Sequence, residues 1–320
     1  MTPPLVPSGA HPGVIAILGA VLVGVLTASQ SRVNSELALQ LGDGYLAAVI
    51  SFGSGLVILL AALLFWAPGR RGVANLGASV RGRRTPWWYL CGGLAGALFV
   101  LSQGLTGSLL GVAMFTIAVV CGQTLSGLVV DRIGMGSVAA VRVTVSRLLG
   151  SLLTLVAVGW AVSSQVRDDT NPWIFVLPLV AGMGIAWQQA ANGQVRVVAK
   201  SALTATLMNF VAGTIALSIA AAVHLAVVGA PDTMPTAPWL YLGGLLGTLF
   251  IGLGVIVVKH TGVLLLGLGA IAGQLIMSLA LDAIAPVSGR GVEWTTVLGT
   301  ALTLGAVVIA AIPSRAIRGL

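Results

Sequence analysis

Two pairs of amides have the spacing to act together. Gln30 and Asn34 are four residues apart and share a helical face, and Gln188 and Asn192 repeat the arrangement 158 positions later. Both pairs lie in apolar sequence, where an unpartnered amide is costly. Each pair can therefore line a substrate path or hydrogen-bond a neighbouring helix, and its recurrence fits both uses. Gln123 and Gln274, 151 positions apart, are further long amides inside apolar runs. Thr116 shares a face with Gln123, so this helix carries a polar stripe that reads as cavity lining. Gln103 and Thr106 add to it, although Gly254 stands where a second Gln103 would be. Asp131 and Asp282, again 151 apart, end their apolar runs, where the helix macrodipole disfavours a carboxylate. Arg142 or Arg147 could pair with the first and Arg290 with the second, making both aspartates gate candidates, with a loop cap or surface ion pair as the alternative.

Other chemistry is missing from the sequence. No Asp or Glu stands in the middle of an apolar run, where a proton-coupled exporter of cations usually keeps one. His224 and His260 fall near run ends and read as interfacial side chains. There is no P-loop, no His-Glu-x-x-His pair and no Gly-x-Ser-x-Gly elbow. Cys91 and Cys121 are the only cysteines and lack metal-ligand spacing. The expectation is a non-enzymatic protein with neither cofactor nor metal.

The elements that position these residues follow from composition. With 57% hydrophobic and 8% charged residues, the chain cannot face water as an ordinary globule. Ten apolar stretches reach the roughly 20 residues a membrane crossing needs: 13–35, 44–66, 87–108, 111–130, 141–162, 172–196, 202–228, 238–258, 262–281 and 293–313. Their continuity excludes the alternation of a barrel, so the expected fold is an all-α integral membrane protein of ten transmembrane helices. Trp87, Trp88, Trp173, Trp239 and Trp294 stand at span starts and read as interfacial anchors.

Beyond the amides, Phe52 and Gly55 recur as Phe210 and Gly213. Trp88, Gly92, Gly93, Gly96, Phe99, Gly111 and Gly122 recur as Trp239, Gly243, Gly244, Gly247, Phe250, Gly262 and Gly273. The chain thus divides into two five-helix repeats, 1–162 and 163–320. An odd number of spans per repeat inverts the second copy. With a cytoplasmic N-terminus, thirteen Lys or Arg fall inside and three outside, which puts both termini in the cytoplasm. The link between the second and third spans carries five Arg, while its counterpart at 229–237 carries no Lys or Arg, as inversion requires. The net charge of +8 therefore reports orientation and not a nucleic-acid partner.

In order and twice over, Gln30-x-x-x-Asn34, Ser51-Phe52-x-x-Gly55, Trp88-x-x-x-Gly92-Gly93-x-x-Gly96 and Gly122-Gln123 with Asp131 resemble the drug/metabolite transporter superfamily, and more closely its YdcZ-like branch of bacterial inner-membrane proteins. That resemblance implies a five-plus-five inverted repeat around a central cavity, lined by the first, third and fourth helices of each repeat. It also implies a multi-pass location in the bacterial inner membrane. The second copy departs at Ser51, which becomes Asn209, and at Glu36, which becomes Gln194. Small multidrug exporters of the superfamily carry a carboxylate in their first helix, and none stands mid-span here.

The expected function is secondary active transport by alternating access, with export of a small neutral or zwitterionic metabolite through an amide-lined, carboxylate-poor site. The expected partners are that small-molecule substrate and the lipid bilayer, with monomer and homodimer both open. Proton-coupled drug or cation efflux, a channel-like pore and a non-transporting membrane component are the alternatives.

Overall fold

The structure is a computed structural model that describes residues 14–133, 145–165, 172–231, 233–285 and 292–311, with some side chains inside the helices excepted. Every regular element among the described residues is helical. In chain order these are α1 (Val14–Leu41), α2 (Gly44–Phe65), α3 (Ala67–Arg81), α4 (Gly92–Leu110), α5 (Val112–Ile133), α6 (Val145–Gln165), α7 (Val176–Ala199), α8 (Ala202–Val228), α9 (Gly243–Ile284) and α10 (Trp294–Ala311). Among the described residues, seven stretches are long and apolar enough to cross a membrane, and Leu148–Ala157, Gly243–Gly254 and Trp294–Ile309 are shorter apolar helices.

Tight caps set the two shortest links. Gly42 turns the chain at φ +66°, and the buried Asp43 carboxylate accepts from the N–H groups of Tyr45 and Leu46 to start α2. At the matched position, Lys200 turns at φ 55° and Ser201 Oγ accepts from Thr204 N to start α8.

The 42 residues of α9 are helical throughout, whereas the sequence divides there into two spans. A straight helix of that length would measure about 63 Å, roughly twice the hydrocarbon thickness. Its contacts show that it doubles back. Gly243 lies against Asn34, Gly247 against Gln30 and Gly19 against Val257, so the first arm runs down α1 toward its N-terminal end. Gly269 then lies against Ala20, and the Ala285 carbonyl receives Arg32 Nε at 2.9 Å, so the second arm climbs back. The reversal falls between Val257 and Leu266.

In the first half the same pattern is made by α4 and α5, which Gly111 alone separates, at φ +76°. Gly92 and Gly96 of α4 lie against Asn192 and Gln188, and Ser126 of α5 donates to the Met183 carbonyl, so this hairpin follows α7 as α9 follows α1. Helices α6 and α10 pack on each other.

The main hydrophobic core draws chiefly on α4 and α5, with α2, α7, α8, the second arm of α9 and α10 adding to it. Phe52 and Phe210 meet there with ring centroids 4.9 Å apart. Each ring fills the space left by the other copy's glycine, Phe52 over Gly213 and Phe210 over Gly55. Rings and glycines are matched by the 158-residue offset, so these contacts are reciprocal.

One helix was not legible as such. The Arg-rich link after α2 folds as α3, which buries Gly69, Gly72 and Leu76 against the turn between α7 and α8. Trp87, Trp173, Trp239 and Trp294 are exposed at helix starts, as interfacial anchors should be.

Candidate functional site

Two amide clusters flank the Phe52–Phe210 pair. In the first, Gln30 Nε2 donates to the Gly243 carbonyl at 2.9 Å and Asn34 Nδ2 donates to Gln103 Oε1 at 2.6 Å. Gln103 Nε2 donates in turn to Ser31 Oγ at 2.8 Å, and Ser35 Oγ donates to the Gln103 carbonyl at 3.0 Å. This joins α1 to α4 and to the first arm of α9. In the second cluster, Asn209 Oδ1 is a shared acceptor, taking Gln188 Nε2 at 2.7 Å and Asn192 Nδ2 at 3.1 Å, which joins α7 to α8.

Small residues allow this approach. A Cβ on Gly247 would stand 2.5 Å from Gln30 Nε2, and one on Gly96 the same distance from Gln188 Nε2. The spacing Gly-x-x-x-Gly therefore serves to admit amides between helices.

The clusters differ in what they leave over. Gln30 Oε1, Asn34 Oδ1 and Ser51 Oγ are buried without a partner in the first, so it has spare acceptors. Asn209 Nδ2 is the unpartnered atom of the second, a spare donor. The difference traces to substitutions between the copies, Ser51 against Asn209 and Gln103 against Gly254.

Gln123 and Gln274 stand apart from these networks. Gln123 is half-buried on α5 and Gln274 largely buried on the second arm of α9, and neither side chain makes a hydrogen bond among the described residues. Thr106 Oγ1 donates back to the Ser102 carbonyl of its own helix. Arg32 pairs with Glu36 at 2.8 Å, as their i, i+4 spacing suggests, and lies 6.0 Å from the Trp239 ring.

Asp282 sits beside the α4–α5 turn. Its carboxylate accepts from Val112 N at 3.0 Å and Ala113 N at 2.6 Å, the first two N–H groups of α5. This answers why a carboxylate tolerates the end of its own helix: the positive end of a second helix faces it. A Cβ on Gly111 would stand 3.0 Å from Asp282 Oδ2, so the turn needs glycine for space as well as for its φ. Arg290, Arg142 and the side chains of Arg147, Asp131 and His260 lie outside the described residues. Replacing Asp282 by alanine should cost about 1–2 kcal/mol, the worth of a helix cap, and asparagine should cost less because one acceptor oxygen remains. The thermal midpoint of the purified protein in detergent reads this, and equal midpoints for alanine, asparagine and wild type would show that the cap carries no stability.

Sequence reasoning noted the Phe52 and Phe210 recurrence without its role. The signal was present, because Phe-x-x-Gly in both copies lets each ring meet the other copy's glycine across a two-fold arrangement. The tie from Asn34 to Gln103, which joins residues far apart in the chain, had no such local signal.

A solved structure titled only "Crystal structure of protein" is similar in fold, with TM-score 0.52 and 17% identity over 93% of this chain and 95% of that one. No curated protein matches the sequence. The profile of the family described as "Putative inner membrane exporter, YdcZ" matches residues 15–160 and again 173–309. With that profile spanning both halves of an all-helical apolar chain, the protein is a multi-pass inner-membrane protein and belongs to the YdcZ family of the drug/metabolite transporter superfamily.

Proposed function

We propose that this chain is a secondary active transporter that exports a small neutral or zwitterionic metabolite by alternating access. Ten membrane passes, counting α9 as two and leaving out α3, form inverted repeats 1–162 and 163–320 with both termini cytoplasmic. The observation that carries this reading is the reciprocal packing at Phe52 and Phe210. Matched residues meet their own counterparts there, so the two halves can exchange conformations about a common point and open the centre to each side in turn. The amides divide the work. Gln30, Asn34, Gln188 and Asn192 tie the first helix of each repeat to its neighbours beside that point, and a substrate competes for their spare acceptors and donor as the seam opens. Gln123 and Gln274 keep free amides for the path itself. Asp282 latches the α4–α5 turn, and Asp131 is the gate candidate at the other face.

Charge movement in proteoliposomes on a solid-supported membrane tests this, with amino acids, amines, sugars and nucleosides compared under pH and sodium gradients. Electroneutral flux is followed with labelled solutes. Gln123→Leu or Gln274→Leu should lower turnover roughly tenfold, about one lost uncharged hydrogen bond, with the thermal midpoint preserved. Undiminished transport in both variants would remove these residues from the path. Transport of permanent cations alone would sink the proposed substrate class, and absence of any flux would favour a non-transporting component.

A further inference from the structure

Helix α3 has two unlike faces. Toward the protein, Gly69, Gly72 and Leu76 are buried. Thr204 Oγ1 donates to the Gly69 carbonyl at 3.0 Å, and a Cβ on Gly72 would stand 2.6 Å from Ser201 Cβ. On the other side, helical spacing places Arg70, Ala74 and Arg81 along one flank with Arg71 beside them. Arg83 and Arg84 follow directly, and all five arginines are exposed.

These charges have no counterpart in the protein nearby. No Asp or Glu occurs between Asp43 and Asp131. Arg70 Nη1 donates to the Leu63 and Leu64 carbonyls at 3.2 and 2.5 Å, closing the end of α2. The side chains of Arg71, Arg81, Arg83 and Arg84 make no hydrogen bond or ion pair among the described residues. Depth is fixed by the flanks: Phe65 and Trp66 are 87% and 58% exposed where α3 begins, and Trp87 is 72% exposed shortly after it ends. Indole favours the membrane–water boundary, so the arginines stand at headgroup level.

We propose that α3 is a docking surface for anionic phospholipids, whose headgroup phosphates neutralise Arg71, Arg81 and their neighbours. Arginine suits this because its planar fork donates to two phosphate oxygens at once. The inner face of α3 holds the turn between α7 and α8, so bound lipid also fastens the first half of the chain to the second. The device is one-sided: the matching link at 229–237 contains no Lys or Arg and no helix among its described residues. The inference rests on membrane placement alone and stands whether or not a solute is transported.

The test titrates the purified full chain in neutral detergent with dioleoylphosphatidylglycerol or dioleoylphosphatidylcholine and follows its thermal midpoint, which rises with any ligand that binds only the folded state. The anionic lipid should raise the midpoint and the zwitterionic lipid should not. In Arg71→Gln/Arg81→Gln, half the rise should need at least about tenfold more anionic lipid, since each basic residue contributes several-fold. The control Arg132→Gln/Lys259→Gln, which removes as much charge from α5 and α9, should titrate like wild type. Equal weakening in both doubles would reduce the effect to overall charge and overturn the proposal. So would an equal rise with phosphatidylcholine, or reproduction of the rise by inorganic phosphate.

Discussion

Replacing Gly93 or Gly244 by valine is expected to abolish the folded protein. A Cβ at Gly93 would fall on the Asn209 carbonyl and stand 2.8 Å from Gly213 N, both on the backbone of α8. At Gly244 it would fall on the Ser51 carbonyl and on Gly55 N of α2. A side chain in the way can rotate, but main chain inside a helix cannot, so α4 must part from α8 or α9 from α2. Either separation withdraws one phenylalanine from the glycine that receives it. Overpacking costs about 1–3 kcal/mol where neighbours repack, and here repacking is blocked. Alanine should therefore fall at the top of that range, and valine should leave no monodisperse peak when membrane extracts are run on a sizing column. Gly53→Ala and Gly252→Ala are the controls, because no atom lies within 4 Å of either new Cβ. They should elute as wild type, and a normal peak for Gly244→Val would show that the helices do not approach this closely.

These glycines also show how far the sequence could be read. The Gly-x-x-x-Gly spacing at Gly92/Gly96 and Gly243/Gly247 marks a packing face correctly, yet within these two motifs the closest backbone approach belongs to Gly93 and Gly244, one residue round the helix. Which glycine meets backbone depends on where α8 and α2 cross, and crossing geometry is not written in spacing along one helix. The polar residues divide in the same way. That Gln30, Asn34, Gln188 and Asn192 need partners follows from apolar surroundings, while the partners Gln103 and Asn209 follow only from tertiary packing. For Asp282 the sequence exposed a conflict, a carboxylate at the wrong end of a helix, but not its resolution by α5. In α3 the local signs were present, with Pro68 at the helix start and Gly69, Gly72 and Leu76 on one face. Five arginines in a short link made it look like a charged loop. The sequence break expected near residues 259–261 is a reversal inside continuous helix, since helical backbone bonds can persist through a bend that apolar patterning cannot describe.

Ser51 and Asn209 occupy matched positions and should respond in opposite ways to the same substitution. Asn209 is 1% exposed, and its Oδ1 receives both Gln188 Nε2 and Asn192 Nδ2. Alanine there orphans two donors in a low-dielectric seam. Each orphan costs about 1–3 kcal/mol, partly offset by removal of the unpartnered Asn209 Nδ2, so a net loss of about 2–4 kcal/mol is expected. Ser51 Oγ has no partner to lose, and Ser51→Ala removes a buried hydroxyl that nothing satisfies, so stability should stay level or rise slightly. A double-mutant cycle separates the pairing from general loss of packing. Adding Gln188→Leu to Asn209→Ala should cost much less than Gln188→Leu alone, because the orphaned donor is gone. Equal destabilisation by Ser51→Ala and Asn209→Ala, with additive cycles, would mean that the second seam is held by shape alone. The predicted inequality would instead mean that Asn209 holds the second seam through its pairing while Ser51 holds nothing in the first, leaving the first copy's spare acceptors open to a polar solute.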